Sequence, residues 1–331
     1  MVISRTPLRI SFFGGGTDYP VWYKKKRGAV ISTSINKYLY ITCRYLPPFF
    51  KYKYRIRYTK QEYTNEIAKI IHPSVRECLK FIKITNGIEI QHNADLPANA
   101  GLGSSSSFTV GLLNSLYTLK GKNVSKKKLA QDAVYVEQKL IKENVGAQDQ
   151  TIAAFGGFNR IEFGAKELIK VQPLLVDNGR LDLLQYHLML FFTGFARNAS
   201  DVAKVQIKAT SRKTNELEKM LKLVDEAEKI IKSKSVPLDD FGKLLNETWK
   251  LKRSLTSKIS NGKIDDIYKT AIDAGAIGGK LLGAGGGGFM VFFVKPKDQK
   301  RVKEKLHKLL YVPFKFEKGG SQIIYKMPND I

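Results

Sequence analysis

Leu96-Pro97-Ala98-Asn99-Ala100-Gly101-Leu102-Gly103-Ser104-Ser105-Ser106-Ser107-Phe108 is the stretch on which the reading of this chain turns. Gly101 and Gly103 can take backbone angles closed to other residues, so the chain can turn tightly and aim several N–H groups in one direction. Successive serine hydroxyls follow, and then an apolar run from Phe108 to Leu119 that reads as a helix. The positive end of that helix's dipole falls at the same point, which suits a triphosphate. A serine-capped helix behind a plain Ser/Gly loop uses the same residues and needs no ligand. Two common nucleotide fingerprints are excluded. No lysine follows the second glycine, as G-x-x-x-x-G-K-[ST] requires, and no third glycine completes G-x-G-x-x-G. A phosphate bound here must therefore find its cation elsewhere.

Strand, glycine loop, helix is the order a phosphate loop needs, and residues 87–92 supply the strand. Behind the loop helix, residues 125–144 read as a second amphipathic helix carrying Glu137, followed by Gly146-Ala147-Gln148-Asp149-Gln150. An aspartate among small and apolar residues is either a turn former or a site carboxylate. Near a triphosphate, carboxylates hold Mg²⁺, which prefers hard oxygen ligands, or accept the proton an alcohol nucleophile must lose.

Upstream, residues 3–13 read as a strand that ends at Gly14-Gly15-Gly16-Thr17-Asp18-Tyr19. Three glycines let a ligand approach the backbone, and Asp18 can accept hydrogen bonds from sugar hydroxyls; an Asx-turn or helix-capping Asp reads the same way. Arg9 lies inside the apolar strand and needs a phosphate or carboxylate partner if buried. Residues 29–44 and 51–58 alternate with period two and look like antiparallel strands joined to each other through Leu46-Pro47-Pro48, with one face on a core. The second run also interleaves basic and aromatic residues, as a nucleic-acid platform would. Residues 65–81 are helical in pattern, broken at His72-Pro73-Ser74.

Past Gly157 the texture changes. Residues 159–176 read as strand, turn and strand. Residues 183–192 read as an apolar strand leading to Thr193-Gly194-Phe195-Ala196-Arg197. Arg197 either clamps an anionic group or packs a helix end. Helices are predicted over 201–211, 215–233, 238–257 and 263–274. Gly283 to Gly288 matches G-x-G-x-x-G in form, but a strand follows it where a dinucleotide loop needs a helix. Its adjacent glycines, Gly285 and Gly286 among them, instead let the backbone pack closely against another loop, the serine loop being the candidate. A closing helix over 303–310 and final strands within 314–325 complete the pattern.

Length and composition bound the rest. A chain of 331 residues is long for one core, so two domains are expected, with a boundary near 175–185. No apolar run reaches the roughly 18 residues of a membrane span, and the N-terminus enters a patterned segment directly, so a soluble cytoplasmic protein is expected. Cys43 and Cys78 have no metal-ligand spacing and fit a reducing compartment. The net charge of +26 invites a nucleic-acid reading, yet only 13 of the 56 basic residues are arginine and the lysines are spread along the chain. A solvated basic surface that attracts small anions is the simpler account, with neither nucleic acid nor membrane as partner.

Three glycine-bearing segments in this order, with Asp149 between the second and third, resemble the superfamily of galactokinase, homoserine kinase, mevalonate kinase and phosphomevalonate kinase, the GHMP kinases. The motifs are Thr6 to Tyr19, Pro97 to Ser107 and Leu281 to Phe289, and the resemblance covers nearly the whole chain. The Gly14-Gly15-Gly16-Thr17-Asp18-Tyr19 form, the serine loop, Gly146 to Gln150 and Thr193 to Arg197 look most like D-glycero-D-manno-heptose 7-phosphate kinases. Galactokinases differ, carrying Glu-His where this chain has Gly15-Gly16.

The resemblance implies an α+β fold of two domains, 1–180 and 181–331, with mixed or antiparallel sheets, helices and the active site in the cleft between them. It implies transfer of the ATP γ-phosphate to the anomeric hydroxyl of a heptose 7-phosphate. ATP would be held by Pro97, Asn99, Ala100, Gly101, Leu102, Gly103, Ser104, Ser105, Ser106 and Ser107, and Mg²⁺ by Ser105 and Glu137. Asp149 and Arg9 would be catalytic. Gly14, Gly15, Gly16, Thr17, Asp18, Arg197, Gly285 and Gly286 would meet the sugar phosphate. Two other readings stay open: an anomeric kinase of an unphosphorylated sugar, similar to fucokinase, and a non-catalytic sugar-binding regulator. A homodimer is also left open.

Overall fold

Two long strands set the frame in the computed structural model, which describes residues 1–98, 100–166, 168–195 and 199–327. β1 (Val2–Phe13) runs into the glycine turn and a single helical turn, α1 (Pro20–Tyr23); the chain returns antiparallel as β2 (Gly28–Tyr45). In the outer half of β2 the predicted alternation is visible, with Leu39, Ile41 and Cys43 buried and their neighbours part-exposed. β3 (Tyr54–Arg57) and β4 (Gln61–Thr64) form a short hairpin. α2 (Pro73–Ile82) follows, with Pro73 at its first position and the His72 ring accepting from the Val75 N–H.

β5 (Ile88–Ala94) leads into the serine loop and α3 (Ser104–Leu119); α4 (Lys126–Tyr135) widens into a π-helical turn (Val136–Ile141), and α5 (Gln148–Phe155) follows. A second hairpin, β6 (Phe158–Gly164) and β7 (Leu168–Pro173), precedes α6 (Asn178–Tyr186) and β8 (Leu188–Phe192). Then come α7 (Ala199–Ala209), α8 (Thr214–Lys232), α9 (Asp239–Leu255) and α10 (Gly262–Asp273). The hairpin β9 (Ala276–Leu281) and β10 (Phe289–Val294) carries the last glycine cluster, followed by α11 (Pro296–Lys305), β11 (Leu310–Tyr311), β12 (Phe316–Glu317) and β13 (Gln322–Lys326).

Among the described residues the strands form two sheets, so the fold is α+β with helices against one mixed and one antiparallel sheet, as expected. A 9-stranded sheet runs β13-β1-β2-β5-β3-β4, with β12 and β6 also on β2 and β7 on β6; an antiparallel 4-stranded sheet runs β11-β8-β10-β9. One aromatic cluster joins them: the Phe13 ring of β1 meets Phe241 of α9 edge-on with centroids 5.0 Å apart, and Phe241 in turn packs on Phe293 of β10. β1 is thereby locked to the wall that carries the glycine hairpin.

Four expectations are corrected. Residues 183–186 close α6 instead of starting the apolar strand, because Asp177 caps that helix and the Arg180 guanidinium anchors it on the carbonyls of Ile230, Ile231 and Val236. Residues 125–144 are not one α-helix but α4 plus a π turn ended by Lys142 in the left-handed region. The closing helix begins at Pro296, a first-turn proline, and ends at Lys305. β3 does not pair with β2, since β5 inserts between them and runs parallel to β3. The chain's last strands also return to the first sheet, β13 on β1 and β12 on β2.

The three glycine segments converge. Gly101 has φ +82°, and a Cβ there would lie 2.5 Å from the Leu282 carbonyl oxygen; a Cβ on Gly283 would meet the Gly101 Cα at 2.5 Å. The Phe289 N–H donates to the Ala100 carbonyl (3.1 Å), and the Arg9 N–H to that of Leu102 (3.0 Å). The close packing expected of the last cluster is thus against the serine loop.

Candidate active site

A cleft of about 190 Å³ opens where these segments meet, lined from the first sheet's side by Arg9, Gly15, Gly16, Asp18, residues 103–106, Glu137 and Asp149. From the other side come Gln206 of α7, Lys252 of α9, Lys280 of β9, Gly283 and Ala284. Its floor is an ion pair. Arg9, 4% exposed, donates Nε to Asp149 Oδ1 (2.7 Å) and Nη2 to Oδ2 (2.6 Å), while Nη1 donates to the Gly101 carbonyl (2.6 Å). The bidentate fork fixes the carboxylate and the loop with one side chain.

Above this pair stands Gly103, where a Cβ would come 3.4 Å from Asp149 Oδ2 and 3.2 Å from Arg9 Cγ; its φ of +77° also makes it the residue before the first turn of α3. The serines at 104 to 106 occupy that first turn, where backbone N–H groups have no intrahelical acceptor. Ser105 is exposed and lines the cleft. The buried hydroxyl of Ser106 donates to Glu137 Oε2 at 2.8 Å. Ser107 is buried and bonded to the Pro7 carbonyl.

Glu137 sits in the π turn, 2% exposed, with Gln150 Nε2 also on Oε2 and with no partner on Oε1 among the described residues. Burial pushes its carboxyl up to about 7, against the opposing pull of the nearby polar groups of Thr109, Ser106 and Gln150. A carboxylate oxygen left bare beside hydroxyls and an anion loop is a hard-oxygen set that fits Mg²⁺, which commonly takes one or two carboxylates and completes its shell with water and substrate phosphate.

On the far side of Asp149, Asp18 closes the glycine turn, accepting from the Gly16 N–H at 2.9 Å. Gly146 is required there, since a Cβ would fall 1.8 Å from Asp18 Oδ2. Burial raises the Asp18 carboxyl to about 6 from 3.8, with the Gly16 N–H opposing and the charge of Asp149 adding. A carboxyl raised in the folded state costs nothing below its unfolded value and weighs fully above its folded one. Asp18→Asn is therefore expected to raise the unfolding free energy by about 3 kcal/mol at pH 8 and by almost none at pH 3 in denaturant melts. An equal effect at both pH values would contradict this account of Asp18.

Not every predicted site residue reaches the cleft. Thr17 is buried and holds the turn, donating to the carbonyls of Gly14 and Ala29. Gly14 packs on the Ala29 carbonyl, where a Cβ would clash at 1.9 Å. Ala100 and Leu102 are buried in the loop's underside, and Pro97 is exposed away from the lining. Gly285 and Gly286 pack on Ile259, whose carbonyl accepts from the Gly286 N–H, and neither lines the cleft. Asn99 and Arg197 lie outside the described residues.

With this geometry in view, likeness to other proteins is informative. Residues 63–157 match the GHMP kinases N terminal domain and residues 236–312 the GHMP kinases C terminal domain. Over 96% of its length, and 97% of the relative's, the chain is 32% identical to D-glycero-alpha-D-manno-heptose 7-phosphate kinase of Campylobacter jejuni. The chain belongs to the GHMP kinase family. This kinase also superposes on the crystal structure named a D-glycero-D-manno-heptose 1-phosphate kinase from Bacteriodes thetaiotaomicron, with TM-score 0.73, 25% identity and 99% of each chain covered. Lactococcus lactis galactokinase shares the fold, with TM-score 0.72 at 19% identity over 97% of this chain and 94% of that one. The predicted superfamily, its phosphotransferase class and its fold are all as read from the motifs.

Lys252 and Lys280 are among the cleft residues that went unread in the sequence. Lys280 donates to the carbonyls of Ser11 (3.0 Å) and Phe12 (2.7 Å) at the end of β1. Lys252 donates to those of Leu281 (3.0 Å) and Gly283 (2.5 Å). Burial draws Lys252 down to about 7 and Lys280 well below the usual lysine range. A signal did exist: Phe241, Leu245, Thr248, Lys252 and Leu255 recur at helical spacing on the buried face of α9, an odd place for a lysine. Among the described residues no helix is long and apolar enough to cross a membrane.

Proposed function

We propose that this kinase transfers the γ-phosphoryl group of ATP to the anomeric C1 hydroxyl of D-glycero-D-manno-heptose 7-phosphate. The observation that carries the reading is the Arg9–Asp149 fork, seated under the serine loop and beside the Gly15–Asp18 turn, in a chain 32% identical to a heptose 7-phosphate kinase over 96% of its length. The loop's Gly101, Gly103 and the first-turn N–H groups of α3 cradle the nucleotide phosphates. Asp18, with Gly15 and Gly16, takes the sugar hydroxyls.

The C1 oxygen attacks the γ-phosphorus, the bond to the bridging oxygen of ADP breaks, and the hydroxyl proton passes to Asp149. Arg9 keeps Asp149 oriented and its charge balanced; Ser106 and Gln150 hold Glu137, which with Ser105 offers Mg²⁺ its protein ligands. The ion, when bound, offsets phosphate charge. Phosphoryl transfer asks chiefly for positioning and charge neutralisation, which these groups supply without a covalent intermediate. We further propose the division into units 1–180 and 181–331, with the final strands returning to the first sheet, a cytoplasmic location, and small anionic substrates as the partners of the basic surface.

The test is ADP release over a panel of free and phosphorylated aldoses. Heptose 7-phosphate should exceed unphosphorylated heptose, fucose and galactose by at least about 100-fold in kcat/KM, the discrimination that charge-assisted contacts to a second phosphate support. Preference for an unphosphorylated sugar would overturn the acceptor assignment. A chain that binds sugar without ATP turnover would favour the regulator reading.

A further inference from the structure

We propose that Lys252 is a catalytic residue whose ammonium holds the γ-phosphoryl oxygens of ATP, supplying the cation that the serine loop lacks. The inference rests on the nucleotide-site reading above and on no assumption about the acceptor. Its position comes from helix packing. A Cβ on Gly278 would lie 2.0 Å from the Gly242 carbonyl, so α9 runs hard against β9 and carries Lys252 down to the seam between the glycine hairpin and the serine loop. There Nζ donates to Gly283, the residue whose Cα packs on Gly101.

An ammonium has three N–H donors, and among the described residues two of those on Lys252 reach carbonyls and none reaches a carboxylate. A lysine 5% exposed, hydrogen-bonded only to carbonyls and with Asp18 and Asp149 acting on it from across the cleft, is a costly arrangement that an anion beside it relieves. Arg9 cannot fill the role alone. Three of its five N–H donors are taken, two by Asp149 and one by Gly101, and its single charge is already balanced by Asp149. Across the cleft, carboxylates at Asp18, Glu137, Glu143 and Asp149 leave a phosphoryl group in need of further positive charge. Lys280, by contrast, ties β9 to the end of β1 on the sugar side.

Calorimetric titration of the full chain with Mg-ATP and with Mg-ADP tests this, because only ATP carries the γ-phosphoryl. Lys252→Met should weaken ATP binding by about tenfold to a hundredfold, the range for a hydrogen bond to a charged group, and leave ADP binding within about threefold. Lys252→Gln, which keeps N–H donors for both carbonyls, should show the same ATP-specific loss if the Met variant fails to fold, and Lys252→Arg should restore the ATP preference. Equal loss for both nucleotides, or no loss, would overturn the proposal. So would an intact ATP preference with a raised KM for the phosphorylated acceptor alone, which would assign Lys252 to the acceptor's phosphate. Wild type that binds no ATP would overturn the nucleotide site itself, whereas wild type that binds ATP and ignores heptose phosphates would overturn only the acceptor.

Discussion

Asp149→Asn is expected to lower kcat by about 10³-fold while ATP affinity stays within about threefold, as measured by ADP release and by nucleotide titration. Asn is nearly isosteric and keeps one oxygen for Arg9, but its amide cannot take a proton, and its N–H₂ meets the Arg9 Nη2 donor head-on. The change therefore removes the base and half of the fork that orients it. Loss of turnover with ATP binding retained would separate the chemical role of Asp149 from nucleotide capture. A near-native rate would remove Asp149 from the mechanism.

The second large effect is expected at Arg9. Arg9→Met deletes both bonds to Asp149 and the latch on the Gly101 carbonyl, leaving a carboxylate that is only 17% exposed without its partner. Breaking a buried pair from one side costs about 3–5 kcal/mol, because the remaining charge stays desolvated. Stability measured by denaturant should fall by that order, and kcat by at least about 100-fold. Arg9→Lys should recover part of the stability through its charge but little of the rate, since a single ammonium cannot reproduce the fork. A Lys variant as active as wild type would show that charge alone matters there.

The site was legible where local chemistry is unusual for its surroundings. An arginine inside an apolar strand, an aspartate among small residues and glycines grouped at strand ends each violate the packing rule of their segment, and the structure brings all of them to one cleft. Lys252 breaks the same rule on α9. It shares the buried face of that helix with Phe241, Leu245, Thr248 and Leu255.

Other features had no local signal. Which glycines face a ligand and which face backbone depends on partners far away in sequence: Gly285 and Gly286 are taken up by Ile259, and Gly14 by Ala29. That Ser106 is bonded to Glu137 follows from where α3 begins, at Ser104, which sets the phase of its first turn. In the fold, insertion of β5 beside β3 and the return of β12 and β13 to the first sheet are pairings between distant segments, which alternation alone cannot assign.

The central claim is that the acceptor already carries a phosphate away from the reacting anomeric hydroxyl. Phosphorylation of heptose 7-phosphate at C1 and of heptose 1-phosphate at C7 give the same bisphosphate, so the product alone does not decide between them. The deciding measurement is ADP release with each monophosphate offered separately, followed by phosphorus NMR. The account predicts turnover on heptose 7-phosphate, with a new anomeric phosphate signal and none on heptose 1-phosphate; turnover on heptose 1-phosphate alone would contradict it.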